Sequence, residues 1–195
     1  MNKCIALSNI DDALDCISLD NTGGLVPNLI FGYWEDVKSF PSIPAITDVA
    51  GMDMEVAGKL DGDLVMNAGT KAYTLKFTED TGVFTIAPQG EVGGQSFLYS
   101  LTFISAKVRA KILGFMNAAK NRKMFFIVQD ENGTYFLMGD KNRGARLQAG
   151  DGVTSGTAVT DRNQTTLLFT FTSPRALSYA GDVENILTEA PTPAS

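Results

Sequence analysis

KMFFIVQDENGTYFLMGDKNRGARLQAGDGVTSGTAVTDRNQTTLLFTFTS, residues 123–173, decides the fold of this chain. Two apolar runs flank Asp130-Glu131-Asn132-Gly133, where Asn-Gly supplies the positive φ angles that a tight hairpin needs. A bend at Gly139-Asp140 follows, then a polar Gly/Ser/Thr segment, then an alternating strand over 165–172. The stretch reads as β scaffold with a long polar loop, and no pattern within it marks an active site.

Upstream, the same period-two signal recurs. Met54, Val56 and Gly58 alternate with Glu55 and Ala57, which predicts a strand; Asp61-Gly62-Asp63 is a turn and 64–67 a short apolar run. Tyr73, Leu75 and Phe77 face one way while Thr74, Lys76 and Thr78 face the other. After the turn at Asp80-Thr81-Gly82, Val83, Thr85 and Ala87 alternate with Phe84 and Ile86. A further strand over 96–104 puts Phe97, Tyr99, Leu101 and Phe103 on one face. One amphipathic helix is predicted over 105–120: Ser105 caps it, and Val108, Ile112, Phe115 or Met116, and Ala119 make one apolar stripe. Gly114 inside that helix points to close approach of a neighbouring element.

Residues 1–60 carry Gly23-Gly24, Pro27, Pro41, Pro44, Gly51 and Gly58, with Phe31, Tyr33, Trp34 and Phe40 between the breakers. So many turn signals predict irregular backbone, and so many aromatics predict that it packs, on its own sandwich or on a neighbouring subunit. After Pro174 the strand period is lost, and the small, proline-containing end of the chain is expected to be mobile unless a partner subunit holds it. The expected fold class is therefore mainly β (α+β): an antiparallel β-sandwich or barrel-like sheet over 61–175 with one flanking amphipathic helix, a long N-terminal arm over 1–60 and a tail over 176–195.

A chain of 195 residues suffices for one well-buried core plus an arm. No apolar run approaches the length of a bilayer span, and acidic Asp11-Asp12 arrives before a signal-like apolar core develops. The sequence therefore predicts a soluble protein without a secretion address. Cys4 and Cys16, the two cysteines, are too few for a disulfide framework and read as free thiols, with a bridge closing the short loop between them as the alternative.

Sixteen bases against 22 acids give a net charge of −6, which argues against broad gripping of phosphates. The plain reading of the acidic excess is solubility; the sharper one is a surface past which DNA slides without sticking. The charge is uneven, because Lys107, Arg109, Lys111, Lys120, Arg122 and Lys123 follow one another with no acid between them. Everything outside that stretch holds 10 bases against 22 acids. A basic stripe on an acidic body suits complementary self-association; a solvated helix face is the plainer account.

Chemistry is hard to find. The chain has no histidine, which removes the commonest general base, the commonest metal ligand, and the Ser-His-Asp and Cys-His machineries. A Ser-Lys or paired-carboxylate mechanism stays open, but Asp11-Asp12, Asp61/Asp63 and Asp80 all sit at apparent turns, where Asp caps backbone. Gly150-Asp151-Gly152 and Gly93-Gly94 lack the following helix and Lys-Ser/Thr of a phosphate loop. Neither Asp130-Glu131-Asn132-Gly133 nor Asp61-Gly62-Asp63 continues as a calcium loop, and two cysteines without histidine leave no four-ligand zinc site. The expectation is a non-enzymatic chain with no cofactor. Candidate interface residues are Trp34 and Phe40 of the arm with Lys107, Arg109 and Lys111 of the basic stretch, Trp being an effective anchor when it fills a neighbour's pocket. Packing on its own core is the plainer account of Trp34.

The layout of arm, β-sandwich, flanking helix and long polar loop resembles that of phage tail tube proteins. The wording Gly139-Asp140-Lys141-Asn142-Arg143-Gly144-Ala145-Arg146-Leu147, then Thr154-Ser155-Gly156-Thr157-Ala158 and Asp161-Arg162-Asn163, resembles a pattern in virion structural proteins of phages that infect Bacteroidota. The resemblance spans roughly residues 60–175 by element order and about 35 residues by wording. It implies a subunit of stacked, usually hexameric rings around the passing genome. Its partners would be itself and other tail or connector proteins, with DNA passing unbound and no membrane, and its place would be the virion, assembled in the host cytoplasm. The proline-rich N-terminal segment departs from the pattern and fits a head-completion or connector protein equally; within the same class, a head–tail connector or capsid decoration protein is the alternative. A β-sandwich module binding glycans or a host surface is the alternative of a different class, and it would want an exposed aromatic platform.

Overall fold

The computed structural model describes residues 5–8, 21–46 and 52–188. In chain order its elements are β1 (Asn28–Tyr33), a 3-10 turn (Trp34–Asp36), β2 (Val37–Ser39), α1 (Met54–Ala57), β3 (Lys59–Leu60), β4 (Val65–Met66), β5 (Tyr73–Lys76) and β6 (Val83–Gln89). There follow β7 (Ser96–Ala106), α2 (Ala110–Ala119), β8 (Met124–Gln129), β9 (Tyr135–Met138), β10 (Arg146–Leu147), β11 (Gly152–Thr154), β12 (Gln164–Ser173) and β13 (Ser178–Tyr179). The protein is mainly β, a sandwich-like α+β fold. A six-stranded sheet in the order β3-β13-β9-β8-β1-β5 faces a five-stranded one built on β10-β12-β7-β6, with β11 also paired to β12; β2 and β4 form a separate ribbon.

Two cores hold these layers. Between the sheets, Tyr99, Leu101 and Phe103 of β7 and Leu167, Phe169 and Phe171 of β12 pack against Leu29, Phe126 and Val128 of the other sheet. This follows from the period-two pattern: inward residues of β7 and β12 are buried, outward ones half-buried. A second core covers the far face of the six-stranded sheet, where Ile30, Phe125, Ile127 and Leu137 meet Leu64, Met66, Leu177, Tyr179 and Ile186. β8 is thus buried on both faces, which is why Met-Phe-Phe-Ile-Val reads as an unbroken apolar run.

The hairpin expected at Asp130–Gly133 forms, but as a longer turn than a two-residue Asn-Gly loop. Gly133 alone of the pair has positive φ, at 91°. The Gly133 N–H donates to Asp130 O (3.1 Å) and the Thr134 N–H to Asp130 Oδ1 (2.7 Å), so Asp130 closes the turn.

Several expectations need correction. Asn28–Tyr33 is not irregular arm; it lies between β8 and β5 inside the six-stranded sheet. Burial on both sides erases its alternation, and Gly32 leaves room for the Phe125 ring, which a Cβ there would meet at 2.6 Å. The strand expected near Met54 is the short helix α1, begun by Asp53, whose Oδ1 accepts the Glu55 N–H. Helix α2 starts five residues later than expected, at Ala110: Ser105 is a buried residue of β7, opposite Thr165 of β12, and Arg109 is the N-cap. Gly114 is exposed and nothing approaches the place where its Cβ would be. Leu177, Tyr179 and Ile186, which lie past the last alternating strand, are buried in the second core. Cys4, Cys16, Asp11-Asp12 and the proline-containing end expected to be mobile, 189–195, lie outside the described residues.

Candidate subunit interface

The basic stretch is not a stripe along a helix. With α2 beginning at Ala110, only Lys111 of the six cations lies within it. Lys107 and Arg109 stand before its N-terminus, and Lys120, Arg122 and Lys123 come after its C-terminus, about 15 Å away at 1.5 Å per residue. The two groups differ electrostatically. Cations after the C-terminus complement the helix dipole, and two of them are occupied within the chain. Arg122 lies 4.9 Å from the centroid of the Tyr33 ring; Lys123 Nζ lies 4.4 Å from that of Trp34 and donates to Asn142 O at 3.3 Å. Lys107, Arg109 and Lys111 crowd the positive end of the dipole, where an acid is the favourable residue, and the first turn of α2 contains none.

The approach to α2 is held by Asn163. Its backbone oxygen accepts the Lys107 N–H and its Oδ1 the Val108 N–H, both at 2.8 Å, fixing Lys107 at a φ of 64°. Lys107, Arg109 and Lys111 are all exposed, and all three stand at or just before the first turn of α2.

Trp34 and Phe40 lie elsewhere. Trp34 is half-buried, its indole N–H donates to Asp140 O at 2.7 Å, and its ring stacks with Phe40 at 6.1 Å between centroids and 25° between planes. The pair anchors the 3-10 turn to the Asp140–Gly144 bend of its own chain. The structure therefore places the three cations at the start of α2 and, separately, pairs the two aromatics, and does not join the groups.

Pairing exposes a feature that periodicity concealed. Among the described residues β6 is the edge of the five-stranded sheet: β7 pairs with one side and no described strand pairs with the other. Its residues, Val-Phe-Thr-Ile-Ala-Pro-Gln, include no charge. Natural edges are usually blunted by charge or proline, and here only Pro88, near the end, serves. A largely apolar groove of about 490 Å³ runs alongside, walled by Leu25, Val83, Phe84, Ile86 and Phe136, with Asp130 the one charged residue lining it. The outer face of the same sheet is also nearly neutral: Thr85, Ser100, Thr102, Thr166, Thr170 and Thr172 mix with aliphatic residues, and Arg146 is the charge among them. Edge status depends on which strands pair, so only the alternation was readable in the sequence.

The carboxylates cap backbone. Asp61 Oδ1 accepts the Gly62 N–H, Asp63 Oδ1 the Asp182 N–H, and Asp161 Oδ2 the N–H groups of Thr157 and Ala158. The Ala158 and Thr157 donors hold the Asp161 carboxyl below the usual range. Burial raises the phenols of Tyr99 and Tyr179; Tyr99 donates to Arg175 O and accepts the Leu177 N–H, and Tyr179 accepts the Leu64 N–H. Among the described residues no three His, Cys, Asp or Glu converge as a metal site, and no helix is long and apolar enough to cross a membrane.

Comparison with known protein families, with curated proteins and with solved structures gave no match.

Proposed function

We propose that this chain is a non-enzymatic, self-assembling virion subunit, a tail tube protein that forms stacked, hexameric rings around a DNA conduit. The observation that carries the reading is the uncharged edge strand Val83–Gln89 beside its largely apolar groove. Such an edge offers unpaired backbone N–H and C=O groups to a strand of another subunit, and the groove receives alternate side chains of that strand. A repeated head-to-tail contact of this kind forms a ring when its rotation closes and an open filament when it does not. Two further features support it: the basic group at Lys107, Arg109 and Lys111 complements a body that is otherwise acidic, and net charge of −6 suits a conduit that DNA does not adhere to.

Negative-stain electron microscopy of the purified protein over a concentration series, at moderate salt, tests the proposal. Rings or stacked tubes with a central hole are expected. Particles that stay monomeric at the highest concentration, with and without fragments of preformed tube as seeds, would overturn it.

A further inference from the structure

The middle strands of the six-stranded sheet carry opposite charge at their two ends. Where β8 begins and β9 finishes, Lys120 follows α2, and Lys141, Arg143 and Arg146 follow β9; all four are exposed. A cleft of about 240 Å³ at this end is lined by Lys123, Arg143 and Arg146 and by no acid. Where β8 finishes, the turn into β9 holds Asp130 and Glu131, the loop after β3 holds Asp61 and Asp63, and the loop after β13 holds Asp182 and Glu184. We propose that the basic end of one copy seats on the acidic end of the next, stacking subunits head to tail along the strands. The partner, a second copy of this chain, rests on the assembly reading; the contact is a different one, at the strand ends rather than along the β6 edge.

Register fixes which residues share an end. β8 and β9 are antiparallel, with Gln129 opposite Tyr135 and Phe126 opposite Met138, so the residues before β8 and after β9 lie together. β13 pairs antiparallel with β9 at Tyr179 and Tyr135, and parallel with β3 at Tyr179 and Leu60. Asp61 and Asp182 therefore both emerge beside the Asp130 turn. The six residues of β8 separate the two groups by about 20 Å at 3.3 Å per residue. The other sheet shares this axis, because Gln95 and Ser96 at the start of β7 and Pro174 just past β12 meet residues 140–143 in one recess.

Each group is of one sign over a short distance. Residues 61–63, 130–133 and 181–184 hold six acids and no base, and residues 141–146 hold three bases and no acid. Asp63 Oδ1 accepts the Asp182 N–H and Asp182 Oδ1 the Glu184 N–H, both at 2.8 Å, which ties the two acidic loops together. Burial first, and then the charges of Asp63 and Asp182, hold the Tyr179 phenol above its ordinary value, so the field of these carboxylates is felt in the second core. Asp140, the acid of the basic end's own bend, is turned inward, its Oδ1 accepting the N–H groups of Asn142 and Arg143 at 2.7 Å.

Like charges so placed repel within each group, and a second copy displaced along the strands brings the opposite charge to both. Both halves of the contact flank the same two strands, so translation alone superposes them. Such a contact is heterologous: it leaves one end of each sign free, and it propagates. The β6 edge offers its hydrogen bonds across the strands, so the two contacts act at right angles, one joining subunits side by side and the other end to end.

The test uses full-length proteins that all carry Thr85→Lys/Ala87→Lys, which removes the edge contact from the measurement. Lys141→Glu/Arg143→Glu reverses the basic end and Glu131→Lys/Glu184→Lys the acidic end; all four positions are exposed, and unchanged melting curves check the fold. By sedimentation velocity each reversed protein alone should associate at least about tenfold more weakly than the unreversed one, because like charges meet at the contact. Mixed one to one, the two restore opposite charges at every contact, and association should return to within about threefold. Raising salt from 0.1 M to 1 M shortens the screening length from about 10 Å to about 3 Å and should weaken it about tenfold. Reversed proteins that associate as well as the unreversed one, or a mixture as weak as its components, would overturn the proposal. For the chain without substitutions, single rings that never stack at any salt concentration would overturn the end contact and leave the ring reading standing. Salt-sensitive linear stacks without rings would uphold the end contact and overturn the ring reading.

Discussion

Replacing Thr85 and Ala87 together with lysine places two charges on β6, the edge strand on which assembly is proposed to rest. Both positions are exposed and point away from the inter-sheet core, which β6 reaches through Phe84 and Ile86. The isolated subunit should therefore lose only the small β-propensity difference, a few tenths of a kcal/mol per site. The assembled state suffers more. A strand added to this edge would lie against both ammonium groups, and each unfavourable cross-strand neighbour costs up to about 1 kcal/mol. Two per interface give about 1–2 kcal/mol, a rise of roughly five- to thirtyfold in the dissociation constant of a single contact. A ring repeats the contact at every subunit, so for a hexamer the penalty sums to about 6–12 kcal/mol and removes rings at micromolar concentration. Sedimentation velocity across a concentration series, with urea unfolding as the fold control, reads both quantities. Unchanged rings from a double variant that is folded as stably as the parent would refute the edge as the contact.

Three further outcomes follow from the packing. Phe169 is fully buried and its ring lies 4.5 Å from Phe126, 6.0 Å from Phe115 and 6.3 Å from Phe103 between centroids, joining both sheets and α2; Phe169→Ala should cost about 3–5 kcal/mol in urea unfolding, and a loss under 1 kcal/mol would contradict the two-sheet core. Gly114 sits in the exposed interior of α2 with open space at its Cβ, so Gly114→Ala should raise stability by about 0.5–1 kcal/mol, and a lower melting temperature would show an unseen neighbour there. Burial raises the folded-state pKa of Tyr99 and Tyr179 above 10.0, so their contribution is fully present below pH 10 and is lost as pH rises through the folded values, because only the unfolded chain releases these protons readily. Ultraviolet titration should accordingly show two of the five tyrosines ionising last, with unfolding accompanying them; five phenols titrating together in the folded protein would contradict their burial.

Local pattern carries information only about what a residue's sequence neighbours decide. The alternation in Ser96–Ala106 and Gln164–Ser173, and the turn closed by Asp130 and Gly133, were legible because side chains on a half-buried strand obey period two and tight turns need particular residues. Where burial is two-sided, that period vanishes. Asn28–Tyr33 consequently looked like part of an arm, although it is an interior strand, and Leu177, Tyr179 and Ile186 looked like tail, although they close the second core. The start of α2 was misplaced because Ser105 is as good a cap by composition as it is a strand residue, and only pairing with Thr165 chooses between them.

That shift of five residues changes the functional geometry. The six cations, their lack of intervening acids and the acidic remainder of the chain were determined by the sequence alone. Their division between the two ends of a helix was decided by tertiary structure, because it depends on where β7 stops pairing with β12. The same holds for the edge. The sequence determined that Val83–Gln89 is a neutral, alternating strand; that no strand among the described residues pairs with its outer side is a property of the whole sheet order, in which contacts between residues far apart in the chain settle which strand comes last.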